Sequence, residues 1–478
     1  LIASAAGVQL FNASRYRDLI TVTEGDFASD VAELGMSQIP VVDKDTASRL
    51  GSKKLGEMTD LVSQFEIQEN YTQINYKGTP YRVTPLRYAD PIKWLYNQKK
   101  GLPAYIAVNM VDQNTDLVWL SSGMKYSTSE YFFRNINRYI RFCYPTRMFE
   151  TVSFEIDDDG NPYWVVSLYD HAIGYGGANA VGTAVVDAQS GEVNIYSIKD
   201  TPSWVDRIQP ESFVTNQIKD WGLYVKGFLN SVISEEGVLL PSDGTSLVYG
   251  KDGKSYWYTG ITSAGGDEST VGFMLVDSRT KESKLYMQTG ATETAAMSTA
   301  EGKVQEKGYE ATFPVMYNIL GKPTYVLGLK DKAGLVKQVA FVSVEDYNVI
   351  GLGETKEEAY KNYKEVLESD GNDLQISNSE ELETIEGSVE RINQDVKGGN
   401  TTYYITLKNK NELIFTGTSK VSSKLPLTLV GDKVRIFYDK TDSKIISISE
   451  FDNENIGKNT DSNKNKNDKE NNKDKQEK

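Results

Sequence analysis

Four stretches of this sequence repeat one short pattern, a glycine followed by β-branched and aromatic residues, and that repetition restricts the fold more than any other feature. They are Gly78–Leu86 (GTPYRVTPL), Gly160–Leu168 (GNPYWVVSL), Gly253–Ile261 (GKSYWYTGI) and Gly321–Leu329 (GKPTYVLGL). Val, Tyr, Trp and Thr favour a pleated backbone and glycine opens a turn, so each stretch reads as a turn entering a strand. The glycines stand 82, 93 and 68 residues apart. Such uneven spacing argues for paired domains rather than a solenoid.

A second strand follows each first one. Gly182–Tyr196 (GTAVVDAQSGEVNIY) aligns without a gap on Gly272–Tyr286 (GFMLVDSRTKESKLY), matching Asp187 to Asp277, Ser190 to Thr280 and Tyr196 to Tyr286. A third copy, 107–115, keeps Asp112 and Thr115 in the same places, and the fourth, after Leu335, is less regular. Asp and Ser/Thr side chains bond turn amides while alternating Val, Leu and Tyr cover one sheet face, which is hairpin chemistry.

Helical patterns fall between the strand pairs, at 129–141, 205–232 in two pieces, 293–307 and 356–367. Ser127 with Glu130, and Thr355 with Glu358, have capping-box spacing. The expected fold class is therefore α+β, built of repeated α-β-β units with antiparallel sheets. Residues 21–200 form a first pair of units and 201–368 a second. An acidic linker spans 369–383. Five strand candidates within 384–451 predict a small all-β, OB-like barrel, in which Val430–Tyr438 (VGDKVRIFY) is a glycine-bent strand at a barrel corner.

The 27 residues from Asp452 to Lys478 hold eight Asn, seven Lys and seven Asp or Glu, too little apolar surface to offset the entropy of ordering. We expect a disordered tail. Its charges cancel, so the net −15 of the chain belongs to the remainder. That sign argues against general affinity for nucleic acid or anionic lipid, because long-range repulsion would have to be overcome locally. At the other end, 1–20 is an apolar segment giving way to polar residues at Asn12. It reads either as a buried N-terminal helix or as the outer end of a membrane anchor.

The Val-Asp, Ser-Gly-Glu, Tyr arrangement of 185–196, closest in Asp187-Ala-Gln-Ser-Gly-Glu192, resembles the hairpin of PepSY-type repeats. The chain as a whole resembles uncharacterised membrane-anchored proteins of low-GC Gram-positive bacteria, and its terminal segment is similar to OB-like barrels. The PepSY resemblance implies cystatin-like α+β units in an extracytoplasmic regulatory or inhibitory module, with no shared catalytic residues.

One His (His171) and one Cys (Cys143) exclude disulfide frameworks, cysteine zinc sites and multi-histidine centres. Asp157-Asp-Asp-Gly160 could suit calcium, but Asp-Gly between two strands is the preferred hairpin turn. Asp267 and Glu268 could be an acid/base pair acting on glycan, although neighbours on a strand point apart. Ser278 and Lys281 match Ser-x-x-Lys, yet the aligned copy holds neither group. His171 reads as a surface or hydrogen-bonded strand-end residue, and Cys143, between Phe142 and Tyr144, as a buried inert thiol. Trp204 and Trp221, outside the hairpins, are the candidate contact surface.

These residues lead to a non-enzymatic, extracytoplasmic and membrane-anchored module that binds or regulates an envelope protein. No catalytic, cofactor or metal residues are assigned. A cell-wall glycan hydrolase or carbohydrate-binding protein is the alternative. A second alternative is oligonucleotide binding by the terminal barrel through Lys397, Lys408, Lys410, Lys420, Lys424, Lys433 and Arg435, diluted by nearby carboxylates.

Overall fold

The computed structural model describes residues 7–31, 36–242, 244–250, 253–264, 269–369, 383–397, 400–410, 412–419, 421–438 and 444–456. The candidate pair Asp267 and Glu268, most of the expected linker, Lys420 and residues 457–478 of the tail lie outside them. The chain divides into two units, residues 1–377 and 378–478.

The expected repeat of α-β-β units is not what the chain builds. Among the described residues strand accounts for 44% and helix for 24%, and the strands form many antiparallel sheets. In each glycine-led copy the repeated element is a run of four consecutive strands. The first is Thr72–Tyr76, Thr79–Tyr88, Leu102–Asn109 and Thr115–Met124; the second is Met148–Ile156, Pro162–Ile173, Gly176–Asp187 and Val193–Ser197. The third is Ser246–Tyr249, Ser255–Ser263, Ser269–Asp277 and Ser283–Ala291; the fourth is Val315–Ile319, Lys322–Lys330, Val336–Ser343 and Ile350–Gly353. Strands outnumber helices because the hairpin turns are short and locally specified, so the chain doubles back before a helix is needed.

Two of the opening turns are two-residue loops with both residues left-handed, Lys77-Gly78 (φ 53° and 84°) and Leu320-Gly321 (φ 57° and 75°). That geometry matches the twist of the flanking strands. The closing turns of the first three runs also share one design. Asp187 accepts the amides of Gln189 and Ser190, and Asp277 those of Arg279 and Thr280. In the first run Asn109, not Asp112, is the equivalent residue, accepting Val111 and Asp112. The fifth residue of each turn is left-handed: Gln113, Gly191 and Lys281.

Helices pack on these sheets without repeating. Thr355 does cap Lys356–Ser369 by accepting the amide of Glu358. The expected helix from 129 is instead a short 3-10 turn, Phe132–Arg134, and the helix Ile136–Cys143, capped by Asn135. Residues 205–209 are not helical, and the helices of that region are Glu211–Leu223 and Phe228–Ile233. One core joins residues of the first, second and fourth runs around Tyr105, Trp164 and Phe341, and another joins the third and fourth around Tyr258, Phe273 and Tyr325.

The C-terminal unit is not a closed five-stranded barrel. Its described residues form six strands, and the 15-residue strand Glu383–Lys397 pairs with Lys433–Tyr438 through its first half and with Asn400–Leu407 through its second. The outermost strands are Ile445–Ser447 on one side and Glu450–Asn453 on the other, giving a half-barrel. Gly431, with φ 95°, belongs to the turn before Lys433–Tyr438 and does not bend a strand.

Candidate functional site

Two features of the first unit could carry function: a buried ionic centre and an exposed aromatic face.

The ionic centre forms where residues 201–209 cross three of the strand runs. Glu155, at the end of its strand, is fully buried. Its carboxylate accepts Ser153 Oγ at 2.8 Å and the Asp206 amide at 3.2 Å. Asp206, also buried, accepts the amide of Asn75 from the first run. The Asp206 carbonyl accepts the hydroxyls of Ser255 and Ser278 from the third. Arg279 donates to the carbonyls of Thr201 (2.7 Å), Pro202 (2.8 Å) and Val205. Burial raises the pKa of Glu155, and that of Asp206 well above the usual range, the latter pushed further by the neighbouring Glu155 charge; Arg207 and Arg279 oppose both shifts.

Beside this centre is a recess of about 60 Å³ lined by Gln38, Asn75, Gly78, Pro80, Tyr249, Gly250 and Gly253. Two of the lining residues carry buried atoms without a hydrogen-bond partner, Asn75 Oδ1 and Tyr249 OH. A space of this size and polarity suits one or two waters. The hydrogen bonds of this centre fasten three sheets together.

The aromatic face is built from the helix Pro91–Asn97 and the segment from Tyr131 to Phe149. Asp90 caps the first helix by accepting the amides of Ile92 and Lys93. Ile92, Leu95 and Tyr96, at helical spacing, point outward and are 65%, 61% and 80% exposed. On the second segment Phe132, Phe133 and Phe142 are 64%, 68% and 62% exposed. The two segments are locked together. Trp94 packs on Tyr131 and Phe132 with ring centroids 4.8 and 5.9 Å apart, and Phe133 on Phe142 at 5.4 Å. Beneath them the buried Glu130 accepts Trp94 Nε1 and Tyr88 OH, each at 2.7 Å. Phe132 holds a left-handed backbone (φ 53°), costly for a bulky residue, with its ring in solvent.

Residues 91–100 and 131–149 contain seven Lys or Arg and no Asp or Glu, in a chain of net charge −15. Arg134, Arg138 and Arg141 donate to backbone carbonyls of Gln98, Phe132 and Arg147. Sequence reasoning passed over this face. The absence of carboxylates across two basic, aromatic segments of an acidic chain was the signal that could have found it.

The residues singled out from the sequence lie elsewhere. Trp204 is half-buried and packs on Tyr163 at 5.0 Å, and Trp221 is half-buried against the core of Ile218, Trp257 and Met274. Cys143 is exposed rather than buried, because it ends its helix beyond Ile136 and Ile140, the two residues that turn inward. His171 sits within Pro162–Ile173, edge-on to Tyr169 at 5.6 Å, with a buried Nδ1 that has no partner. Asp157 accepts the amides of Asp159 and Asn161 in its hairpin turn. Ser278 is buried in the ionic centre, while Lys281 reaches Asn179 at 2.6 Å. In the C-terminal unit Lys424 pairs with Asp452 and Arg435 with Glu386 and Glu454. Among the described residues no group of three metal-ligating side chains comes together, and no helix is long and apolar enough to cross a membrane.

No family model matches this chain, and no curated protein matches it. Among solved structures it is similar to an ACO/RPE65 chimera at 10% identity and a TM-score of 0.15, over 58% of this chain and 48% of that one. It is similar to a Trypanosoma rangeli sialidase bound to 2,3-difluorosialic acid at 10% identity and a TM-score of 0.20, over 80% and 53%. A third likeness is to cobalt-substituted Synechocystis ACO, at 10% identity and a TM-score of 0.14, over 59% and 47%. The chain spans about half the length of these structures, and likenesses this slight carry no argument about chemistry.

Proposed function

We propose that this chain is a non-enzymatic, extracytoplasmic and membrane-anchored module that acts by surface contact and binds a protein partner at the cell envelope. One observation carries the reading: the exposed aromatic face of 91–100 and 131–149, whose cations meet no carboxylate within those segments. Soluble surfaces seldom leave that many large aromatic and aliphatic side chains open together unless something covers them. Aromatic residues and arginine are also the commonest anchors of binding surfaces.

The test is crosslinking on intact cells that make the full-length protein, with a membrane-impermeant amine reagent and identification of joined proteins by mass spectrometry. A reproducible partner, lost when Arg138 and Arg141 become Glu, supports the reading. A chain left unmodified despite its many lysines places it inside the cell and overturns it.

A further inference from the structure

We propose that the surface met by this face is an anionic lipid bilayer. The inference rests on the reading of this face as a contact surface: it assigns the face itself to lipid, a contact that holds the chain at the membrane where its protein partner lies.

Three observations separate a bilayer from an acidic protein. First, the apolar side chains protrude. Ile92, Leu95, Tyr96, Phe132, Phe133 and Phe142 are all between 61% and 80% exposed, on two short helices and the turn before the second. Tips this open have no groove of their own to receive a partner's side chain, but they can enter the boundary between headgroups and acyl chains. Second, tyrosine, tryptophan and phenylalanine flanked by lysine and arginine is the composition of the membrane interface, where ring bodies are buried and cations reach lipid phosphates. Lys99, Lys100, Arg138, Arg141 and Arg147 of the same two segments are exposed, and Arg141 lies over the Phe149 ring. Third, the face is rigid beforehand. The Glu130 anchor and the ring contacts of Trp94 hold both segments in register, so little ordering entropy is lost on landing.

The net charge of −15 opposes this contact at long range, and the local block of cations answers it at short range. Attraction therefore acts within about one Debye length, ~8 Å at physiological salt. It orients the chain with this face down and its acidic remainder away from the lipid.

The chain supplies its own reporter. Cys143, the single cysteine, is exposed on this face. Full-length protein carrying an environment-sensitive fluorophore on Cys143 is titrated with phosphatidylcholine vesicles, and with vesicles of equal parts phosphatidylcholine and phosphatidylglycerol. The expected result is a blue shift and co-sedimentation with the anionic vesicles alone, reversed by high salt. Arg138→Gln and Arg141→Gln each weaken binding about fivefold. Phe132→Ser with Phe133→Ser abolishes the blue shift with the circular dichroism spectrum unchanged. Equal binding to neutral vesicles, or anionic binding indifferent to all four substitutions, overturns the proposal. No vesicle binding, while crosslinking to a cellular protein still depends on Arg138 and Arg141, overturns the lipid partner and leaves the contact reading standing. If crosslinking fails as well, both fall.

Discussion

The Asp206 amide lies 3.2 Å from Glu155 Oε2, so two buried carboxyl groups from segments 51 residues apart share one centre. Both pKa values are raised, chiefly by burial. Between the ordinary carboxylate range and those raised values, the folded state holds protons that the unfolded state has released. Stability is therefore lost as pH rises through this window, and the cost is complete above it. Glu155→Gln keeps the shape and removes one charge. We expect its melting temperature to rise relative to the parent as pH increases from about 4 to about 8. Parallel melting curves across that range would show that the centre does not titrate.

Arg279 clamps residues 201–205 through the carbonyls of Thr201, Pro202, Ser203 and Val205. Lysine cannot span them, since its single ammonium replaces a planar fork of donors. Arg279→Lys should destabilise the first unit by about 2–4 kcal/mol in urea titrations. A loss within experimental error would mean that the strap is held without the clamp.

Glu130 is the joint beneath the aromatic face. Glu130→Ala strands two buried donors, Tyr88 OH and Trp94 Nε1, at a cost of about 2–5 kcal/mol. Glu130→Gln keeps one acceptor and should cost about half as much. Burial raises the Glu130 pKa, with Trp94 and Tyr88 opposing the shift by bonding the charged form. Equal losses for the two variants would show that packing, not hydrogen bonding, sets the energy.

The closing turns make opposite predictions at equivalent positions. Gln113 is left-handed (φ 66°), and Gln113→Gly should stabilise by about 0.5–1 kcal/mol by relieving that conformation. Gly191 is left-handed too (φ 81°), and a Cβ there would run into the Tyr126 ring. Gly191→Ala should therefore cost about 1–3 kcal/mol. Thermal melts of both variants decide the matter, and equal signs would refute the equivalence of the turns.

The glycine-led strands and the hairpins after them were legible because glycine turns and β-branched alternation are local signals, but their joining into runs of four was not. The turn residues Asp187 and Asp277 were legible as well, since their bonds close within three residues. What could not be read depends on distant partners. Ser127 and Glu130 have the spacing of a capping box, yet Glu130 is claimed by Tyr88 and Trp94, 42 and 36 residues away, and Asn135 caps the helix instead. Residues 205–209 follow a helical pattern but are drawn straight by Glu155, Asn75 and Ser278. In Glu383–Lys397 the sequence shows a strand but not that two neighbours divide its length, and that division is what leaves the terminal sheet open.

The strap of 201–209 also sets an order of events. Its bonds to Asn75 and to Glu155 join residues 131 and 51 positions apart, and those to Ser278 and Arg279 need a turn made later still. Loops of that length close only after the sheets they connect exist. The middle of the chain is thus fastened only after the third strand run has been made, and a newly made chain carries that seam open until then.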